Sequence, residues 1–233
     1  MIIPATFNGP PDSANGGYTA GLLARYVASP SGAMVTLRQP PPLATPLDVH
    51  ADGATIEVYD GDRLIASAAP APEPLPPPVP AVSWTETMAV SQTYLGFTGH
   101  PFPTCFVCGP ERPPGDGLRL FPGLLPDGRT ASPWIVPEGV EPALMWAALD
   151  CPGGWAVPAM GLAGPAGAAG VNRPYVLGRM AARVDALPAT GDGCVVMGAC
   201  VGQEGRKAHV VSTVYGPDGA ALAVARATWI ALT

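Results

Sequence analysis

The sequence predicts an α+β fold built from two similar units, each with a helix followed by an antiparallel sheet. Three observations support this prediction. Each half contains one helical segment followed by hairpin patterns, short matches recur in the same order in both halves, and a proline-rich tract separates them. With 48% hydrophobic and 13% charged residues among 233, the chain has the composition of a packed protein, not of a disordered one.

The short matches in the same order indicate a duplicated unit. Between them, the tract PAPEPLPPPVP has seven prolines in eleven positions and predicts a stiff, extended linker. We therefore expect one unit at 1–82, including this linker, and a second unit at 83–233 with an insert at 84–125. The matching segments are Arg38 with PPPLAT (40–45) and Arg183 with ALPAT (186–190), then VYDG (58–61) and VYGPDG (214–219).

In the first unit, the segment YTAGLLARYVA has apolar residues at helical spacing and predicts the first helix. Either Ser13 or Asn15 can cap its start, and Pro30 ends it. The segment 54–69 has an alternating run, a turn that carries Asp and Gly, and a second run that is apolar. This pattern predicts a β-hairpin.

In the second unit, EPALMWAALDC at 141–151 predicts the second helix. Pro142 suits the first turn, where a missing N–H costs no hydrogen bond, whereas Pro152 is expected to stop or kink the helix. The segments 194–211 and 208–232 each read as two apolar strands around a short turn. The second unit is therefore predicted to end in an antiparallel meander.

Charge and composition exclude several classes of function. The net charge is −6, and the 12 basic residues form no run, so the sequence does not favour nucleic-acid binding. It has no apolar stretch of about 20 residues and no secretory leader pattern, so we expect a cytoplasmic protein with no membrane partner. Five cysteines, an odd number in a long chain, favour reduced thiols over a disulfide framework.

Three segments resemble hotdog-fold acyl-CoA thioesterases of the phenylacetyl-CoA type. NGGYTAGLL at 15–23 resembles the start of their central helix, which often reads H-G-G-x-x-x-x-L-L-D. AALD at 147–150, with GWA after it, is similar to the end of that helix, and 205–229 resembles the last strands. The resemblance covers most of both halves. It implies a double hotdog, two units of an antiparallel sheet wrapped around a central helix.

The resemblance also implies where a site would lie. In this family the reaction centre lies between two hotdogs, one supplying the glycine backbone at its helix start and the other a carboxylate from within its helix. Here the first unit keeps Gly16 and Gly17 but has Ala24 at the acid position. The second unit keeps Asp150 but has Pro142, which lacks an N–H, at the glycine position. One composite site is therefore expected, without its mirror image.

The implied chemistry is hydrolysis of an acyl thioester. The N–H groups at Gly16 and Gly17 would stabilise the carbonyl oxygen as it becomes negative, and the missing side chains would allow the substrate to approach. Asp150 would act as general base on water, or as a nucleophile that forms an anhydride. Asn15 stands where the family often has His and can hydrogen-bond the thioester or the water. Alternatively, Asp150 is a turn or cap residue, and the second helix begins near Gly153.

Coenzyme A enters this interpretation as part of the substrate, and no other cofactor is expected. Arg206 and Lys207, with Arg179 and Arg173 as further candidates, could bind its phosphates, or they could be solvated surface charges. A non-catalytic acyl-CoA or acyl-carrier binder on the same scaffold is an alternative function. A hydratase or dehydratase is a third, although the sequence has no Asp/His pair at a suitable helical spacing. A homodimer or higher homo-oligomer is expected because sheet edges tend to associate.

The insert contains the pair Cys105-x-x-Cys108 in a stretch that resembles the C-F-x-C-G and G-L-x-L parts of some thioesterase-like hotdog proteins. A structural zinc site normally needs four ligands, and only His100 is nearby in sequence. The cysteines are therefore interpreted as packing in a tight loop, with Leu118 and Leu120 starting a strand. No metal site is predicted from the sequence.

Two further features of the second unit were interpreted without a catalytic role. Cys151 follows Asp150 but has no histidine at a spacing that suggests an activating base, so a small buried cysteine is the simpler interpretation. The stretch at 156–174 is rich in Gly, Ala and Pro and is predicted to be a mobile loop over the acyl pocket.

Overall fold

The computed structural model describes residues 1–158 and 174–232, and these form one ten-stranded sheet with four α-helices. The α+β prediction is confirmed. The helices are α1 (Gly16–Ala24), α2 (Trp84–Ser91), α3 (Gly96–Gly99) and α4 (Pro142–Trp155). The strands are β1 (Ala33–Leu37), β2 (Asp48–Asp52), β3 (Thr55–Asp60), β4 (Arg63–Pro70), β5 (Gly123–Leu124), β6 (Thr130–Ile135), β7 (Tyr175–Val184), β8 (Gly193–Glu204), β9 (Lys207–Tyr215) and β10 (Ala221–Ala231).

The strand order shows the same arrangement on both sides of the sheet. It runs β2-β3-β4-β1-β7-β10-β9-β8-β6-β5, so β1 lies beside β4 just as β7 lies beside β10. The hairpins predicted at 54–69 and 194–211 correspond to β3–β4 and β8–β9. At the centre, β1 and β7 pair antiparallel, from Ala33 opposite Ala182 to Thr36 opposite Arg179. This pairing joins the two halves of the chain into one continuous sheet.

The helices α1 and α4 pack closely against each other and against the sheet. Every α4 residue from Ala143 to Trp155 is buried. Small residues allow the close approach, because a Cβ added at Gly21 would lie 2.6 Å from Ala143 Cα and one added at Gly17 would lie 3.1 Å from Ala147 Cα. Side chains at these glycines would push the helices apart.

Of the two outcomes expected at Pro152, a stop or a kink, the stop is wrong, because α4 continues to Trp155. A proline inside a helix removes one backbone hydrogen bond and disturbs the preceding turn. Here side chains of the sheet help to satisfy the helix carbonyls: the Ser212 hydroxyl donates to Leu149 O at 2.6 Å, and the Thr130 hydroxyl donates to Pro152 O at 2.6 Å. Tertiary contacts thus offset the local preference for an end at this proline.

The proline-rich tract has no regular secondary structure after Pro70, but it is attached to the sheet of the second half. Val79 is buried, its N–H donates to the Thr213 hydroxyl at 2.9 Å, and its carbonyl accepts from the Tyr215 hydroxyl at 2.6 Å. Arg226 donates to Pro72 O at 2.8 Å. The tract is therefore fixed along the surface of the other half and does not behave as a free spacer.

The strand predicted to start at Leu118 and Leu120 is not formed, and this prediction is wrong. Instead, the N–H groups of these two residues donate to Phe106 O and Val107 O, both at 2.8 Å. The hydrogen bonds of this segment are used inside the insert, so it does not join the sheet. Most of the loop predicted at 156–174 lies outside the described residues. Within those described, no helix has the length and apolar character needed to cross a bilayer.

Candidate active site

Asp150 lies on α4 opposite the first turn of α1. Its Oδ2 accepts a hydrogen bond from Gly17 N at 2.9 Å and another from Asn15 Nδ2 at 3.3 Å. The carboxyl group is only 2% exposed. Asn15, Gly17 and Asp150, three of the four predicted catalytic residues, thus meet at the interface of the two halves. Asp150 lies more than 130 positions after the other two in sequence.

Asn15 is held by the helix that it caps. Its Oδ1 accepts from Tyr18 N at 2.8 Å, so Asn15 is the N-cap, as one of the two sequence alternatives predicted. With Oδ1 fixed in this way, the amide nitrogen faces Asp150. The residue therefore positions the carboxylate by using the two ends of one side-chain amide for different partners.

Gly16 and Gly17 occupy different environments. The N–H of Gly17 is already used by Asp150, and a Cβ at Gly17 would lie 2.5 Å from Asp150 Cβ. The structure therefore gives Gly17 a different role from the expected one, because its missing side chain admits α4 and not a substrate. Gly16 is the first residue of α1, where the N–H has no acceptor within the helix, and it lines the neighbouring cavity.

The environment of Asp150 changes its acid strength. Burial raises the pKa of Asp150 to about 7, partly opposed by the hydrogen bonds from Gly17 and Asn15, which lower it. At neutral pH the carboxyl group is therefore present in both protonation states. Its second oxygen, Oδ1, is buried and has no hydrogen-bond partner among the described residues.

A cavity of about 430 Å³ adjoins this carboxyl group. Residues from both halves of the chain form it, with Asn15 and Gly16 on one side and Asp150 on the other. Its walls are mainly apolar. The residues that form them include Leu37, Phe102, Tyr175, Leu177, Trp229, Ile230 and Leu232. A cavity of this size and lining suits a small apolar group with one polar end.

A second cavity, of about 530 Å³, lies at the other end of the α1–α4 pair. Ala24 and Pro142 line it, and the same sequence offset relates Gly16 to Pro142 and Ala24 to Asp150. Among its described lining residues the only carboxylate is that of Asp185, which is ion-paired with Arg183 at 2.6 Å. The second cavity therefore lies at the position of the mirror-image site, where Ala24 and Pro142 replace the acid and the glycine.

Three of the predicted phosphate-binding residues lie in the described part of the chain, and these are exposed but do not line the first cavity. Arg206 and Lys207 lie at the β8–β9 turn, and Arg179 on β7 donates from Nε to the Thr36 hydroxyl at 3.0 Å. Arg173 lies outside the described residues. The arginine that does line the cavity is Arg38, which is exposed directly after β1. In the sequence Arg38 belongs to one of the repeated segments, and its position next to Leu37 does not by itself indicate a cavity residue.

Three cysteines and a histidine form a further wall of the cavity. The Sγ atoms of Cys105, Cys108 and Cys151 all lie within 4.8 Å of one another, and His100 Nε2 lies 3.1 Å from Cys108 Sγ. Burial lowers the pKa of His100 to about 4. Hydrogen bonding from Cys108 and Cys151 lowers the pKa of Cys105, whereas burial raises the pKa of Cys108. No local sequence pattern indicates this cluster, because Cys151 belongs to α4 and not to the insert.

The sheet order and the two enclosed helices define a double hotdog fold, and solved structures support this. The chain is similar to the tesB protein of Mycobacterium avium subsp. paratuberculosis, with a TM-score of 0.57 and 14% identity. The alignment covers 100% of this chain and 91% of that chain. It is also similar to a protein of unknown function with a hot dog fold from Alicyclobacillus acidocaldarius, with a TM-score of 0.50 and 11% identity. That alignment covers 98% of this chain and 90% of that chain.

A third match is a proposed thioesterase from Novosphingobium aromaticivorans. It has a TM-score of 0.56 and 14% identity, with 100% of this chain and 94% of that chain covered. The sequence matches no protein-family model and no curated protein. At these identities the structural likeness shows the fold alone, and the fold by itself does not determine the reaction.

Proposed function

We propose that the protein hydrolyses an acyl thioester, with Asp150 as the general base. The observation that supports this proposal most is the position of the Asp150 carboxyl group, held by Asn15 and Gly17 beside an apolar cavity with an uncapped helix N–H. The names of the structural neighbours are in keeping with a thioesterase. In this proposal the acyl group occupies the cavity and the thioester carbonyl lies near Gly16.

The proposed reaction is a direct attack of water. Asp150 accepts a proton from the water as its oxygen adds to the thioester carbonyl carbon. The carbonyl oxygen becomes negative and accepts a hydrogen bond from Gly16 N–H at the positive end of α1. The C–S bond then breaks, the carboxylic acid is released, and the leaving thiolate takes the proton from Asp150. No step consumes another reactant.

Asn15 and Gly17 act as positioning residues in this scheme. Both donate to Oδ2, so the buried Oδ1, which has no hydrogen-bond partner among the described residues, is the oxygen left to accept the proton. Arg38, exposed at the edge of the cavity, is the candidate that could contact the phosphates of a coenzyme A thioester. Arg206, Lys207 and Arg179 could contribute only to a longer binding surface, because none of them lines the cavity.

The test compares Asp150→Asn with the unchanged protein on a panel of acyl-CoA substrates that differ in chain length and aromatic character. Free thiol is measured by a colorimetric reagent. We expect turnover to fall by about 10²–10⁴-fold, the usual contribution of a positioned general base. Thermal stabilisation by a non-hydrolysable acyl-CoA analogue should be retained, since asparagine has nearly the same shape.

Asp48→Asn is the matched control, because Asp48 is exposed on the edge strand β2. In the sheet order β2 is several strands away from β7, β8, β9 and β10, against which α4 packs. It should leave turnover unchanged. If Asp150→Asn retains full turnover, the assignment of the base is wrong. If the unchanged protein is stabilised by the analogue but releases no thiol from any substrate, the non-catalytic binding alternative replaces the proposed hydrolysis.

A further inference from the structure

Three thiols converge where the insert meets α4, and the imidazole of His100 lies beside one of them, Cys108. The Sγ atoms of Cys105, Cys108 and Cys151 lie within 4.8 Å of one another, with Cys105 and Cys151 at 4.0 Å. His100 Nε2 lies 3.1 Å from Cys108 Sγ. All three cysteines are buried, and the two others of the chain, Cys194 and Cys200, belong to β8. The fold therefore concentrates three of the five cysteines at one point.

The spacing of these atoms suits a tetrahedral metal site. Zn–S bonds of about 2.3 Å place two sulfurs of such a site about 3.8 Å apart. The sulfurs therefore need to approach by at most about 1 Å to share one ion. Cysteine thiolates and imidazole nitrogen are the ligands that zinc prefers in structural sites, and a Cys-x-x-Cys pair is a common source of two of them.

We propose that Cys105, Cys108, Cys151 and His100 bind one zinc ion. The site goes beyond the proposed hydrolysis, since the Asp150 chemistry requires no metal. With four protein ligands the site is closed, so its role is structural. Binding releases the three thiol protons to solvent and fastens the insert to α4. It would also fix the cavity wall that these residues form.

His100 is expected to be the least important of the four ligands. As placed in the structure, its Nδ1 accepts a hydrogen bond from Phe102 N at 2.8 Å, which puts the ring proton on Nε2. Coordination through Nε2 moves that proton to Nδ1 and exchanges the hydrogen bond for the metal bond. Loss of His100 should therefore weaken metal binding, whereas loss of one cysteine should nearly abolish it.

The first experiment uses the full chain expressed in zinc-supplemented medium and purified under reducing conditions. Elemental analysis should find about one zinc per chain. After chelation, titration with Co²⁺ should give the near-ultraviolet absorption of thiolate-to-cobalt charge transfer and the visible bands of a tetrahedral ion. Zinc should then displace cobalt. Chelation should also lower the thermal midpoint of unfolding, because metal binding stabilises the folded state.

The second experiment compares Cys108→Ser with Cys200→Ser as the matched control, since Cys200 is outside the cluster. The control should retain the zinc and the cobalt spectrum, and Cys108→Ser should lose both. His100→Ala should keep the charge-transfer band while its affinity falls at least about tenfold. If Cys108→Ser does not fold, the titration of the unchanged protein decides.

Several results would overturn the zinc proposal. These are an unchanged protein with neither zinc nor cobalt absorption, equal metal content in Cys108→Ser and Cys200→Ser, or a Cys105–Cys151 disulfide in protein purified under reducing conditions. The Asp150→Asn variant separates this proposal from the hydrolysis. It should bind zinc with unchanged stoichiometry while its turnover falls, so either proposal can fail without the other.

Discussion

The substitution Gly17→Ala tests whether the close approach of α1 and α4 positions the carboxyl group of Asp150, the proposed general base. An added Cβ would lie 2.5 Å from Asp150 Cβ and 2.6 Å from Trp146 O. Real Cβ atoms do not come this close to other atoms, so the helices must separate. Because Gly17 N–H donates to Asp150 Oδ2 at 2.9 Å, separation also weakens the hydrogen bond that fixes the carboxylate.

The size of the effect follows from these contacts. Overpacking of a well-packed interior costs about 1–3 kcal/mol, and the better helix propensity of alanine returns up to about 1 kcal/mol. With the full return, the net loss of up to about 2 kcal/mol should lower the thermal midpoint of a chain of this length by up to about 8 °C. A displacement of about 1 Å at the reacting groups can cost up to about 10²-fold in rate, so kcat/KM should fall by at least about tenfold.

Gly21→Ala is the matched control for this prediction. Its added Cβ would lie 2.6 Å from Ala143 Cα, so it should separate the same two helices at a similar cost in stability. Gly21 lines the second cavity, and the three atoms nearest to its added Cβ belong to Ala143 and Trp146, not to Asp150. Differential scanning fluorimetry and thioester assays on both variants would measure the two effects. Equal losses of kcat/KM in both, or no loss in Gly17→Ala, would refute the proposed positioning by Gly17.

Three other predictions concern single contacts. Asn15→Ala should lower the free energy of unfolding by about 1 kcal/mol through the lost helix cap and also reduce turnover. Asn15→Asp should keep the cap but lose turnover, because it removes the side-chain N–H that donates a hydrogen bond to Asp150. Denaturant unfolding and steady-state kinetics measure the two effects. Arg38→Ala should raise KM for acyl-CoA but not for the matching acyl-pantetheine, and an equal change for both would count against a phosphate contact. Ser212→Ala should cost about 1–3 kcal/mol in denaturant unfolding by leaving Leu149 O without its side-chain donor, and an unchanged midpoint would contradict this.

The elements that the sequence predicted correctly depend on local patterns. Asn15 caps α1 because its side chain can reach the N–H of Tyr18, three positions along the chain. The β3–β4 hairpin follows from alternating residues around a turn with glycine at Gly61, where φ is 59°. In both cases residues close in sequence make the stabilising contacts, so the sequence pattern alone contains enough information.

The features that the sequence did not predict depend on contacts between distant segments. Helix α4 continues past Pro152, and a residue of β9, Ser212, donates to the carbonyl of Leu149 in this helix. The cysteine cluster forms because Cys151 on α4 approaches the pair in the insert, 43 or more positions earlier in sequence. No local pattern identifies such partners. Both features depend on the three-dimensional arrangement of segments that are distant in sequence.

The two cavities provide a final test of the asymmetry between the halves. Leu37→Trp adds bulk to the wall of the first cavity and should reduce turnover of long acyl chains more than of short ones. Ala24→Leu adds bulk to the second cavity, where Ala24 and Pro142 stand at the positions of the acid and the glycine. Because that cavity has neither the acid nor the N–H at these positions, Ala24→Leu should leave turnover of every chain length unchanged.

Steady-state kinetics over a series of acyl chain lengths would compare Leu37→Trp and Ala24→Leu directly. A loss of activity in folded Ala24→Leu equal to that in Leu37→Trp would mean that the second cavity also processes substrate. The proposed dependence on a paired acid and free N–H would then be wrong, since Pro142 cannot donate a hydrogen bond from its backbone nitrogen. Selective loss in Leu37→Trp would instead locate hydrolysis at the Asp150 end of the helix pair.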